Sequence, residues 1–126
     1  MKTIVLGKSP KNFKSFVVKF TLPDGEEGKI SATFKYRSRK DFGAMMNQMF
    51  SDAGEEKSEG VPDFQELFGK MGDKNADHLL NSLDSWNLDF ELNRDNLCQL
   101  SDQYPAAAVA LMAAYRNACV DGALGN

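Results

Sequence analysis

Apolar residues recur at every second position over two stretches near the start of the chain. Phe16, Val18, Phe20 and Leu22 alternate with Val17, Lys19 and Thr21, and Ile30, Ala32, Phe34 and Tyr36 with Ser31, Thr33, Lys35 and Arg37. A period of two is that of a half-buried strand, whose side chains point to opposite faces in turn. Between the stretches, Pro23-Asp24-Gly25 supplies turn chemistry: proline presets φ and glycine accepts a positive one. The pattern predicts an antiparallel hairpin with a dry face and a basic, solvated face. Thr3–Leu6, "TIVL", is a candidate third strand.

The period then changes. Phe42, Met45, Met46, Met49 and Phe50 fall at i, i+3, i+4, i+7 and i+8, one stripe along a helix. Ser38 is its N-cap, with Asp41 a weaker substitute for the Glu or Gln of a capping box. Three methionines make the stripe adaptable, a property of promiscuous binding surfaces. It reads either as core packing against the hairpin or as a partner-binding face in which Met45, Met46 and Met49 are partly exposed.

Residues 51–62, "SDAGEEKSEGVP", have no period and mostly acidic charge, and read as a flexible loop. Helical spacing resumes through Phe64, Leu67, Phe68 and Met71, then Leu79, Leu80 and Leu83, with Gly69 and Gly72 weakening the helix between. "SWNLDFEL" returns to period two and is a short strand or an extended connection. Asn93 caps a helix carrying Leu97, Cys98 and Leu100. A last helix opens at Pro105, the favoured first position, and stops at Asp121-Gly122.

That last helix poses a question. Ala106 to Tyr115 are ten apolar residues in succession, so the helix is apolar nearly all round and must hide in a core or on a partner. An exposed helix of this kind would be a large association hazard. The expectation is therefore burial, with Leu111, Met112 and Tyr115 against Leu97, Leu100 and the hairpin, and the Tyr115 hydroxyl at the rim. The fold class that follows is α+β: an N-terminal antiparallel hairpin or small sheet, then a helical C-terminal half packed on it.

A length of 126 residues fits a single domain over 1–126, with a β-rich basic part (1–37), the acidic loop (51–62) and a mainly helical acidic part (63–126). No apolar run approaches a membrane span. The N-terminus is too briefly apolar for a secretory signal, so the protein is expected to stay where it is made. Cys98 and Cys119 then read as reduced core residues, with a disulfide between their helices the lesser alternative.

Charge adds one asymmetry. Residues 1–42 carry ten Lys/Arg against four Asp/Glu, and residues 43–126 carry five against fourteen. Such a split points to an acidic partner for the basic half, to mutual attraction of the halves, or to copies stacked head to tail. The basic residues alternate with core positions rather than clustering, which favours the latter two. In "FKYRSRK" the aromatics share the inward face while Lys35 and Arg37 point outward; nucleic-acid stacking needs them together, so no nucleic-acid partner is expected.

Catalytic chemistry finds no carrier. His78 is the only histidine and has no ligand set at metal spacing. No nucleophile motif stands near a base, "PDGEEG" lacks the setting of a phosphate loop, and the acidic residues of 51–66 lack the calcium-loop pattern. The expectation is a non-enzymatic protein with no metal and no cofactor.

Taken in order, "LGKSPKNFK", a strand, "LPDG", a second strand, "FKYRSRKDFG", then "SWNL", a short helix, "YPAAAVALMAAY" and a terminal "LGN" resemble the tail assembly chaperones of long-tailed bacteriophages and prophages. The resemblance spans nearly the whole chain apart from the loop at 51–62. The family pattern also leads one to expect a basic residue near Ala123, where this chain has none. The resemblance implies a small α+β protein of the bacterial host cytoplasm, absent from the mature virion. Its partners would be the tape measure protein, kept soluble, and the tail tube protein, whose polymerisation it assists. Many such proteins are made in two forms by ribosomal frameshifting. Self-association is a further possibility under this reading. Phe42, Met45, Met46, Met49 and Phe50 are the candidate partner-binding residues, with the alanine-rich helix the second candidate. The competing class is a structural tail component, a tube or terminator-like subunit.

Overall fold

A computed structural model describes residues 1–124; Gly125 and Asn126, the end of "LGN", lie outside the described residues. The alternation of the first third folds as expected. Strands β1 (Phe16–Thr21) and β2 (Glu27–Phe34) pair antiparallel, with Phe16 opposite Ala32, Val18 opposite Ile30 and Phe20 opposite Gly28. Phe16, Val18, Ile30, Ala32 and Phe34 are buried, while Lys19 and Lys29 are exposed on the other face. In the turn, Gly25 has φ +88°, a value that only glycine adopts readily.

The third strand is β3 (Leu83–Trp86), which pairs with β2 and makes the order β1-β2-β3. This corrects the placing of a strand at Thr3–Leu6: that segment stays outside the sheet, with Ile4, Val5 and Leu6 all exposed. The far edge of β2 is taken by "LDSW", whose backbone is delivered there directly by the preceding helix. Asn87 helps lock it, donating its N–H to the Ser31 carbonyl at 3.1 Å and accepting from the Ser31 N–H at 2.9 Å.

Five helices follow the local signals. α1 (Arg39–Asp52) starts at Ser38, whose hydroxyl accepts from the Asp41 N–H. The segment 63–83 does break at a glycine: α2 (Phe64–Met71) ends at Gly72, φ +59°, and α3 (Lys74–Ser82) begins beyond it. α4 (Arg94–Gln103) is capped by Asn93, and α5 (Pro105–Val120) opens on its proline.

α5 answers the question its sequence poses. It packs against β1, α1, α2, α3 and α4 and buries Ala107, Ala108, Leu111, Met112, Tyr115, Ala118 and Cys119. Alanines at the contacts let the neighbours approach closely, so a helix apolar all round is surrounded rather than displayed. Leu97 and Leu100 join the same buried cluster as the inner face of the hairpin. Amide hydrogens from Ala107 to Ala118 are expected to be among the slowest to exchange in the free protein. Fast exchange there, slowed only by a partner, would place this helix on the surface.

One expectation about α5 fails. Tyr115 is wholly buried rather than rimmed, and its hydroxyl is satisfied inside: it accepts from Arg37 Nη1 at 2.8 Å and donates to the Lys35 carbonyl at 2.9 Å. Arg37 accordingly turns inward, against the simple alternation, because β2 ends at Phe34 and the pleat ends with it. Burial pushes the Tyr115 phenol up to about 12. The two cysteines are free thiols, Cys119 buried and Cys98 half-buried.

Candidate partner-binding surface

The methionine stripe is laid across the core. Phe42, Met46, Met49 and Phe50 are buried, Met49 completely, and Met45 is half-buried beside the Ser82 hydroxyl at 3.6 Å. Partial exposure, expected of Met45, Met46 and Met49, therefore holds at Met45 alone. The cause is tertiary: α2, α3 and α5 all close on α1, and Phe42 stacks edge-on against Tyr115 with 5.6 Å between centroids.

The far end of α1 is fixed by a polar contact. His78, on α3, brings Nε2 to 2.7 Å from Asp52 Oδ2, and Gln48 donates to Asp52 Oδ1 at 2.9 Å. The hydrogen bond from His78, then that from Gln48, holds the Asp52 carboxyl below its ordinary 3.8. A carboxyl lowered on folding adds stability above its unfolded value, and that stability is lost as pH falls through the folded one. Asp52→Asn is expected to cost about 1.5–3 kcal/mol at pH 7, the range for hydrogen bonds to a charged group. Its difference from the parent should shrink below about pH 4. Urea melts at pH 7 and pH 3 check this, and an equal difference at both would remove the charged contact from the explanation.

One flank of the stripe forms the floor of a cleft. Phe42, Met46 and Phe50, with Gly43, line a cleft of about 210 Å³ closed on the other sides by Arg116 and Val120 of α5 and by Lys57, Ser58, Gly60 and Pro62 of the loop. The rim is basic. Arg39 donates twice to the Val120 carbonyl, at 2.8 and 3.1 Å, and Arg116 pairs with Asp121 at 3.0 Å. At its start the loop is tethered, since Glu55 pairs with Lys70 of α2. Among the described residues, no hydrogen bond holds it between Glu56 and Pro62. Gly43 is the residue the sequence pattern missed here: a Cβ added to it would meet nothing within 4 Å.

Among the described residues no group of three or more His, Cys, Asp or Glu side chains is arranged to hold a metal, and no helix is long and apolar enough to cross a membrane. Phe34 is buried, and Tyr36 is half-buried with its ring tilted against Phe13 at 5.2 Å between centroids.

A protein-family model described as phage tail assembly chaperone matches residues 1–126. No curated protein and no solved structure matches the chain.

Proposed function

The chain belongs to the phage tail assembly chaperone family, and from that premise we propose that it binds the tape measure protein, keeps it soluble and assists polymerisation of the tail tube around it. It acts in the cytoplasm of the bacterial host and leaves before the virion is complete. The binding residues are those of the α1 stripe that floor the cleft, Phe42, Met46 and Phe50, with half-buried Met45 beside them. Buried Met49 supports them from beneath.

The observation that carries this reading is the cleft. Its floor is apolar and includes an adaptable methionine, its roof is a loop that makes no hydrogen bond over 56–62 among the described residues, and its rim is cationic. An apolar anchor from a partner helix, flanked by acidic residues, fits such a site once the loop lifts. Reversible affinity follows, because opening the loop takes back part of the binding energy.

Gly43→Trp fills the cleft from a position open to solvent, and replacing a helical glycine also favours the helix. Helical fragments of the cognate tape measure protein should stay soluble with the parent chain and precipitate with Gly43→Trp, while circular dichroism is the same for both. Equal solubilisation by the two would remove the cleft from the reading. Failure of the parent to bind, or its assembly into tubes on its own, would instead favour a structural tail subunit.

A further inference from the structure

A second cavity, of about 250 Å³, lies where α2, α3, α4 and α5 meet, and it shares no residue with the cleft over the methionine stripe. From α4, Cys98, Ser101 and Asp102 face it at i, i+3 and i+4, and the turn from α2 to α3 supplies Gly72 and Asp73. Phe68 of α2, with Pro105 and Val109 of α5, forms its apolar wall. We propose that this cavity binds the alkyl-cation side chain, arginine or lysine, of a protein partner other than a second copy of this chain.

The polar groups of the cavity are short of a donor. Asn75 lines it and is 6% exposed. Its Nδ2 donates to the Gly72 carbonyl at 2.6 Å, while its Oδ1 is buried and has no hydrogen-bond partner among the described residues. A buried acceptor without a donor is costly, and an entering N–H removes that cost. Asp73 and Asp102 are both exposed, and among the described residues neither carboxylate is in an ion pair. Asp73 precedes α3 without its side chain capping it. Its charge reaches inward: burial, then the Asp73 carboxylate, push the Cys98 thiol up. Arg94, which opposes that push, is engaged by Asp77 at 2.7 Å. Negative charge and spare acceptors thus converge on the cavity without a matching cation.

An organic cation suits these walls better than a metal ion. Among the described residues no three His, Cys, Asp or Glu side chains are arranged to hold a metal, and the apolar wall offers one nothing. A lysine or arginine side chain uses both parts, its methylene stem along Phe68, Pro105 and Val109 and its head at the carboxylates. The lip admits a polypeptide. Gly69 lies inside α2, where glycine weakens a helix. A Cβ added there, or at Gly72, would nevertheless meet nothing within 4 Å. No packing contact among the described residues asks for a glycine at 69, and the space above it lets a partner's backbone approach closely.

Titrations followed by amide nuclear magnetic resonance test the site. At low salt, Nα-acetyl-arginine methylamide and Nα-acetyl-lysine methylamide should saturably shift the amides of Asp73, Asn75, Ser101 and Asp102, with Kd of about 1–20 mM. The uncharged norleucine analogue should not. Asp73→Asn combined with Asp102→Asn alters exposed positions only, and should weaken the arginine probe about tenfold; Asp102→Asn alone serves should the pair lose its fold. A helical alanine peptide carrying one arginine should bind at least about tenfold more tightly than the free probe, because its backbone uses the lip. No saturable shift at those amides, an equal shift from the norleucine analogue, or undiminished affinity in the variants overturns the site. Putrescine binding more tightly than the peptide would give the cavity to a free polyamine. Shifts at the same amides on concentrating the protein alone would give it to a second copy. Either result overturns the assignment to a partner protein.

Discussion

Phe34→Ala is expected to lower stability by about 3–5 kcal/mol, the range for deleting a large core aromatic, while Lys35→Ala changes it by no more than about 0.5 kcal/mol. Phe34 is fully buried, 5.6 Å from the Phe16 ring and stacked on Tyr115 at 4.9 Å. Its truncation therefore empties the junction between the sheet and α5, where the surrounding helices are too constrained to collapse into the space. Lys35 is next in sequence and exposed, and only its backbone serves the fold, accepting from Tyr115 and donating to the Ser82 carbonyl at 2.8 Å. Chemical denaturation of the two variants checks the difference. Similar losses for both would mean that the pleat is assigned to the wrong face.

The second large effect is expected at α1. Met49→Asp places a carboxylate where the side chain has no solvent at all and where the buried neighbours are hydrophobic. The penalty for an unpaired buried charge is several kcal/mol, comparable with the whole stability of a small domain, so the variant should lose its cooperative melt. Met45→Asp, four residues earlier and half-buried, should keep it, because the new carboxylate can turn to water. Thermal melts followed by circular dichroism separate the cases. A Met49→Asp variant that melts like the parent yet no longer solubilises tape measure fragments would return the whole stripe to the surface.

These two positions also mark where local sequence is informative. Phe34 could be assigned to the core from its neighbours alone, since period two fixes which side of a strand shares a face, and the turn at Pro23–Gly25 fixes the pairing. The helix starts at Ser38, Asn93 and Pro105 were legible for the same reason: capping hydrogen bonds and the missing proline N–H act within three or four residues. The composition of α5 sufficed to demand burial, because no alternative face existed for it to expose.

Of the candidate site, the sequence yielded the stripe but not its accessibility. Periodicity reports that Phe42, Met45, Met46, Met49 and Phe50 line one side of a helix; it carries no information about what lies against that side. Gly43 was invisible as a site residue, since its significance is an empty volume bounded by Arg116 and Pro62, residues far from it in the chain.

The sequence by itself determined the hairpin, the helix starts at Ser38, Asn93 and Pro105, the apolar demand of the last helix and the family resemblance. Each of these is encoded within a few consecutive residues or in their order. Tertiary structure decided which segment became the third strand, which way Arg37 turned, how Tyr115 satisfied its hydroxyl and how much of the methionine stripe remained in reach of a partner. "TIVL" has good strand chemistry and "LDSW" has little, yet only the latter is carried to the open edge of β2 by the helix before it. Local preference is worth a fraction of a kilocalorie per residue, while the position of a chain segment is set by the packing of everything attached to it.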